Sequence, residues 1–130
     1  MAKVDTVNEL LRPMMGKPSV RFDPPRCAVC GSALWCENHH PVRRGAGTAY
    51  DDAGRELSKP TVMLCKACHG LAHQNRLHFR FVEVSRERKS AVGAFYETGG
   101  HWEFALFGEP IKYQAALEEG AWKRMEGGER

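Results

Sequence analysis

The sequence predicts a small α+β domain. The chain has 130 residues, the length of one domain, and 42% of them are hydrophobic, which is enough for a packed core. Stretches with helical spacing and stretches with strand-like alternation occur in the same chain. Two Cys-x-x-Cys pairs, Cys27/Cys30 and Cys65/Cys68, have the spacing by which four thiolates hold one tetrahedral zinc ion. We therefore expect a zinc-stabilised core with an N-terminal helix and a C-terminal strand and helix extension.

Residues 1–25 are expected to form the N-terminal helix and a linker. Five apolar side chains between residues 4 and 15 recur at helical spacing, with Asp5 or Thr6 placed as the cap and Pro13 weakening the last turn. These five are Val4, Val7, Leu10, Leu11 and Met14. The segment from Gly16 to Pro25 contains three prolines, which disfavour regular structure and indicate a linker.

Residues 26–76 are expected to form the core, because they hold both cysteine pairs and four of the six histidines. The stretch 41–56 is rich in Gly, Asp and Arg and reads as a loop. Residues 61–64, Thr-Val-Met-Leu, are typical of a short strand, and residues 66–77 suit a helix.

Residues 77–130 are expected to form two strands and a helix that extend the same domain. Two sets of apolar residues alternate with other residues, as strands require. They are Leu77, Phe79 and Phe81, and Trp102, Phe104 and Leu106. Gly99-Gly100 is the expected turn before the second strand. Pro110 is expected to open a helix that ends at Gly127-Gly128. That helix would carry Ile111, Ala115, Trp122 and Met125.

A cytosolic location favours zinc over the alternatives for the four cysteines, which are a pair of disulfides or a thiol redox site. No run of about 18 apolar residues is present. The N-terminal segment carries acidic residues and has no uninterrupted apolar stretch, so it does not resemble a signal peptide. We therefore expect a cytoplasmic chain with reduced thiols and no membrane partner. Cys36 has no paired cysteine and is expected to act as a small buried apolar residue. The zinc would bring two remote groups of histidines together.

The histidines predict a second metal site. His69 and His73 are four residues apart, so on a helix they offer two imidazoles to one ion. His39 and His40 are adjacent and point in different directions in an extended chain, so one can complete the site while the other stays free as an acid–base group. Each histidine taken alone could instead be an ordinary surface or core residue. Three protein ligands with open positions suit metal-dependent hydrolysis of a phosphodiester.

Three motifs together resemble those of the HNH endonucleases, which have the ββα-metal (His-Me finger) fold. The motifs are CAVC, ENHHPVRRGAG and VMLCKACHGLAH, within residues 27–73. The resemblance implies a ββα-metal core, a structural Zn²⁺ and an endonuclease that cuts or nicks double-stranded DNA in a bacterial or phage-infected cytoplasm. It implies that His40 is the general base. It implies that one catalytic divalent ion (Mg²⁺, Mn²⁺, Ni²⁺ or Zn²⁺) binds to His39, His69 and His73. The implied structural zinc ligands are Cys27, Cys30, Cys65 and Cys68.

One position departs from the family motif. An Asn usually stands a few residues before the Leu-Cys step, and the residues around Pro60 include none. A backbone carbonyl of the 42–59 loop could hold the His40 ring in its place. The departure keeps a second interpretation open, in which the chain is a catalytically weak or inactive zinc module that is derived from such a nuclease and binds nucleic acid or protein.

Two arginines follow the histidine pair and suggest the path of the DNA. Arg43 and Arg44 are expected to contact the phosphate backbone, the alternative being a solvated loop pair. A net charge of +3 permits a nucleic-acid partner without arguing strongly for one. His78 and His101 fall outside the motifs and are expected to be structural.

Overall fold

The computed structural model describes residues 4–111 and 119–127, with the backbone alone at 85–90, 94–98 and 119. Within these residues the protein contains a helix and two small antiparallel sheets, which confirms a small α+β domain. One sheet pairs β1 with β2, and the other has the order β3-β4-β5. The elements are β1 (Glu37–His39), β2 (Val62–Leu64), α1 (Lys66–His73), β3 (Leu77–Ser90), β4 (Gly93–Leu106) and β5 (Lys123–Arg124).

The pair β1–β2 and the helix α1 form the unit that positions the histidines. Glu37 lies opposite Leu64 and His39 opposite Val62. Val62 and Leu64 are fully buried, whereas β1 stays at the surface, so β2 anchors β1 to the core. The strand ends one residue before Cys65, and α1 begins directly after it. The predicted strand is confirmed, and the predicted helix is confirmed at its start but ends at His73 instead of residue 77.

The N-terminal helix predicted over residues 4–15 is wrong. A 3-10 helix at Arg12–Met14 is the only helical turn there. The Thr6 and Val7 N–H groups both donate to the carbonyl of Thr48, and the Asn8 side chain accepts from the N–H of Leu10. Contacts with a remote loop and a local turn at Asn8 therefore hold this segment in an irregular conformation. The apolar side chains still serve the core, where Met14 is almost fully buried.

The linker and the 41–56 loop are tied closely to the core. Val20, inside the segment predicted as a linker, is fully buried and bridges Val62 in parallel. The loop contains a 3-10 helix at Arg44–Ala46 and a bridge between Tyr50 and Glu56. Both segments are thus mainly irregular, as expected, but neither is a loose connection.

The two predicted strands form one long hairpin, and the expected turn was misplaced. β3 pairs with β4 from Leu77 opposite Leu106 to Ser90 opposite Gly93, so residues 91–92 make the turn. Gly100 lies inside β4, opposite Glu83. A Cβ atom on Gly100 would collide with the Phe81 ring. The glycine therefore makes room for a core side chain and does not turn the chain.

The prediction of a C-terminal helix is wrong for residues 110–111 and 119–127, the part of this segment that the structure describes. Residues 112–118, including Ala115, lie outside the described residues. Glu119–Ala121 form a 3-10 helix, and β5 then pairs with the edge of β4. Trp122 and Met125 flank β5 and are not helical. Met125 is almost fully buried and donates its N–H to the carbonyl of Trp102, so strand pairing replaces helix formation.

One core unites the hairpin base with β2 and the N-terminal segment. Trp102 is fully buried at its centre, and its indole N–H donates to the carbonyl of Pro18 at 2.7 Å. The Phe81 ring packs edge-on against Trp102 at 5.5 Å between centroids. Among the described residues, no helix has the length and apolar character needed to cross a membrane.

Candidate metal centres

The four paired cysteines converge on one point between β2 and α1. Cys27 and Cys30 lie in a turn, Cys65 follows β2, and Cys68 lies in the first turn of α1. All four Sγ atoms lie within 4.8 Å of one another, and the Sγ atoms of Cys30 and Cys65 are 3.6 Å apart. A tetrahedral ion with Zn–S bonds of about 2.3 Å places its sulfurs about 3.8 Å apart. The four cysteines could therefore hold a zinc ion, and none of them forms a disulfide.

Backbone hydrogen bonds join the first cysteine turn to the sheet. The N–H of Ala28 donates to the carbonyl of Met63 at 2.9 Å, and the N–H of Gly31 donates to the carbonyl of Cys27 at 3.0 Å. The first bond attaches the turn to β2, which leads directly into Cys65. The two halves of the cluster are therefore held together by the backbone as well as by any bound metal.

The thiols of the cluster have very different proton affinities. Burial opposes ionisation of Cys27, but the backbone N–H groups of Cys30, Cys65 and Val29 outweigh it and lower the pKa of this thiol to about 7. Burial, followed by the thiol and charge of Cys27, raises the pKa of Cys68. The Cys27 thiol therefore loses its proton readily, whereas the Cys68 thiol keeps its proton. Such a set can release its remaining protons when a cation binds.

A second cluster brings together His39, His69 and His73. His39 ends β1, while His69 and His73 lie one turn apart on α1. One ring nitrogen from each lies within 4.8 Å of the others, and the Nε2 atoms of His69 and His73 are 3.0 Å apart. Metal–nitrogen bonds of about 2.0–2.1 Å in a tetrahedral site place nitrogens about 3.4 Å apart. The three imidazoles therefore have a spacing that can hold a metal ion.

The His39 imidazole is uncharged at neutral pH. Burial, reinforced by the charges of His69, His73 and His40, lowers the pKa of His39 to about 4. Its ring also lies against that of Phe79, with 5.7 Å between centroids. A neutral imidazole keeps a nitrogen lone pair available for a cation.

A carboxylate that sequence reasoning missed lies behind His69. Glu37 Oε2 is 3.3 Å from His69 Nδ1, and the Glu37 side chain is 67% exposed. A carboxylate at Nδ1 favours the tautomer that leaves Nε2 free to face the cluster. The available signal was the position of Glu37, two residues before His39 on the same strand, because alternate residues share a face.

An open cleft of about 900 Å³ adjoins the histidine cluster. His40, Arg43 and Arg44 line it together with the three clustered histidines. Both arginines are exposed, and neither guanidinium pairs with an acidic side chain among the described residues. The cleft therefore joins a possible metal site, a further imidazole and two available cations.

The structure adds other residues to the cleft wall. Asn8 and Leu10 come from the N-terminal segment, and His78, expected from the sequence to be structural, also lines the cleft. His78 Nε2 lies 2.8 Å from the carbonyl of Asn75. His101 lies away from the cleft, with Nε2 3.0 Å from a carboxylate oxygen of Glu103.

The His40 ring makes no hydrogen bond within the part of the chain that the structure describes, so no carbonyl of the 42–59 loop holds it there. Cys36 is half-buried and donates its thiol to the carbonyl of Ser32. It stays outside the group of four sulfurs that could share an ion.

Comparisons of the chain with protein-family models, with curated proteins and with solved structures found no match.

Proposed function

We propose that this protein is a metal-dependent endonuclease of the HNH type, with a ββα-metal core, that hydrolyses phosphodiester bonds in DNA. The observation that carries the proposal is the meeting of His39, His69 and His73 at metal-binding distances beside an open cleft. These imidazoles come from two segments that are remote in sequence, and a four-cysteine cluster joins the same two segments. An arrangement with three protein ligands leaves positions for water and substrate.

The four histidines of the two motif segments, the two arginines and Glu37 have separate roles in this reaction. A divalent ion on the three histidines would stabilise negative charge on the phosphate and on the leaving oxygen. His40 accepts a proton from the attacking water, a task that the unprotonated nitrogen of an imidazole ring can perform. Arg43 and Arg44 bind and orient the phosphate backbone through charge-assisted hydrogen bonds. Glu37 orients His69 from behind.

The donor set bears on the choice of ion. Three imidazole nitrogens suit Zn²⁺, Mn²⁺ or Ni²⁺ better than Mg²⁺, which prefers oxygen ligands. Under this proposal the four-cysteine zinc has no chemical step of its own. It holds the segment before β1 against the start of α1, and so maintains the distance between His39 and the two helical histidines.

A plasmid-nicking assay tests the proposal. Purified protein that retains its cysteine-bound zinc is given Mg²⁺, Mn²⁺, Ni²⁺ or further Zn²⁺, beside His40→Ala and His78→Ala variants. We expect metal-dependent conversion of supercoiled plasmid to the nicked form by the wild type and by His78→Ala. His40→Ala should lose at least 100-fold in rate, since general-base catalysis contributes about 10²–10⁴-fold. His78 is the matched control, because its imidazole lines the same cleft and has no assigned role in the reaction.

Two results would contradict the proposal. Equal rates for the wild type and His40→Ala would show that the base is wrong or that the cleavage comes from a contaminant. An absence of cleavage with all four metals would favour the second candidate, a catalytically weak or inactive module that binds nucleic acid or protein. The observation that favours this candidate is the absence of a hydrogen-bond partner for His40 among the described residues, together with the lack of an Asn near Pro60.

A further inference from the structure

Two neighbouring apolar side chains project from the loop before β1. Trp35 is 77% exposed and Leu34 is 69% exposed. The other tryptophans are shielded, since Trp102 is fully buried and Trp122 is half-buried. Keeping an indole in water forgoes a large hydrophobic gain, so an exposed tryptophan beside an exposed leucine indicates a contact surface. We call this pair the Leu34–Trp35 platform.

The loop holds the platform in place. The N–H of Leu34 donates to the Ser32 hydroxyl at 3.2 Å, and the N–H of Lys66 donates to the carbonyl of Leu34 at 3.5 Å. The carbonyl of Ser32 in turn accepts the N–H of Cys27 at 2.8 Å. Trp35 adopts φ of 53°, in the left-handed region that bulky residues rarely occupy. Contacts with the cysteine cluster therefore fix the backbone that presents the indole outward.

The size of the platform restricts what it can bind. The two side chains expose about 300 Å² of mainly apolar area together, given the 150–250 Å² that a large aromatic residue can bury. A stable protein–protein interface needs about 800 Å² on each partner. The platform is therefore too small for a second copy or a folded partner. It fits one or two flat rings, and an indole is a stacking surface for nucleobases of any sequence.

We propose that the Leu34–Trp35 platform stacks against an unpaired nucleobase of the DNA strand whose phosphodiester reaches the histidine cluster. This inference rests on the proposed function. Four residue steps separate Trp35 from His39, so their Cα atoms are at most about 14 Å apart. The two positions are therefore at most about four nucleotide steps apart, at 3.4 Å each. Paired bases stacked inside a duplex do not offer their faces, so the platform selects DNA with a gap, flap or overhang near the cleavage position.

Binding measurements without turnover test the platform separately from cleavage. The His40→Ala protein serves as the parent, and Trp35→Ala and Trp35→Phe are added to it. The probes are a fully paired duplex and the same duplex with a short single-stranded gap, both labelled for fluorescence anisotropy at one salt concentration. We expect Trp35→Ala to weaken binding of the gapped duplex by about 5- to 150-fold, the range for loss of one stacked base. Binding of the paired duplex should be unchanged.

The conservative variant and a fluorescence signal complete the test. Trp35→Phe keeps an aromatic ring and should retain most of the affinity for the gapped duplex. Indole fluorescence of the parent should be quenched by the gapped duplex, and this change should disappear in Trp35→Phe, which keeps Trp102 and Trp122. Zinc content and circular dichroism verify that the variants remain folded, as expected for a side chain that is mainly in solvent.

The outcomes separate this inference from the proposed function. Unchanged binding of the gapped duplex by Trp35→Ala would overturn the platform even if the wild type cuts DNA. Equal losses on both probes would overturn its preference for unpaired bases. A shift in oligomeric state on substitution of Trp35 would reassign the surface to self-association and overturn the inference. Trp35-dependent binding by a chain that never cuts would support the platform and refute the nuclease.

Discussion

Replacing Glu37 with Gln probes the orientation of His69 with a minimal change of shape. The carboxylate lies 3.3 Å from His69 Nδ1, and the side chain is 67% exposed. Across the neutral His69 ring the carboxylate would lie about 7 Å from a divalent ion on Nε2, and at that separation charges of −1 and +2 attract by about 1.2 kcal/mol in a water-like dielectric of about 80. The dielectric constant of water is appropriate here because the Glu37 side chain is mainly exposed to solvent. We therefore expect Glu37→Gln to weaken binding of a divalent ion to the histidine cluster by about tenfold, at the low end of the 10- to 100-fold range for such partners.

Calorimetric titration of Ni²⁺ or Mn²⁺ into protein that already holds its cysteine-bound zinc measures this change. Glu126→Gln is the matched control, because it removes the same charge from an exposed carboxylate that pairs with Arg26. The control should bind metal as the wild type does. Equal affinities for Glu37→Gln and the wild type would refute the assigned role of Glu37. Equal losses in both variants would indicate a general effect of net charge.

Two further predictions concern the cysteine cluster and pH. Cys68→Ser should lose the bound zinc and the cooperative thermal transition, since zinc binding contributes about 10 kcal/mol and a domain is stable by about 5–15 kcal/mol. Elemental analysis and thermal unfolding check this, and Cys36→Ser should keep both, or the four-cysteine assignment is wrong. The pKa of His39 is lowered from 6.5 to about 4 in the folded protein. Between these pH values the unfolded chain therefore binds a proton at His39 that the folded chain does not bind. The free energy of unfolding should fall as pH falls through this window. Urea midpoints without added divalent ion should show a shallower fall in His39→Asn, and identical slopes would contradict the lowered pKa.

Strong local patterns predicted the centre of the molecule well. The run Thr61–Leu64 and the helix after Cys65 were correct because apolar periodicity and the cysteine spacing pointed to the same elements. The paired cysteines also predicted that the His39-His40 pair would come near His69 and His73, and the family resemblance selected His39 as the ligand. A shared ligand set acts as a long-range restraint that can be read from sequence.

The errors arose where a distant contact overrode a local pattern. The spacing of apolar residues predicted an N-terminal helix, but this segment lies in an irregular conformation against the 41–56 loop, where Thr6 and Val7 donate to Thr48. Gly100 looked like a turn residue, and its role became apparent only from the Phe81 ring that occupies the space beside it. The C-terminal segment likewise pairs with the edge of β4, whose position no local spacing reveals.

The site was predicted less completely than the core elements. The wall residues Asn8 and Leu10 carry no metal-type or motif signal, so only the tertiary arrangement identifies them. Glu37 had a signal, its position two residues before His39, but its contact with His69 is known only from the structure. The exposed position of Trp35 was also not predicted, because an isolated tryptophan in a sequence is ordinarily a core residue. Its exposure becomes visible only when the loop geometry is known.

X-ray absorption at the nickel edge tests the central claim most directly. Protein that holds one zinc on its cysteines is loaded with one equivalent of Ni²⁺, and the spectrum reports the atoms around that ion alone. We predict imidazole nitrogens at about 2.0–2.1 Å, with three histidines in the wild type and two in His39→Ala. Sulfur scattering, or a spectrum that His39→Ala leaves unchanged, would show that imidazoles from the two segments do not share an ion.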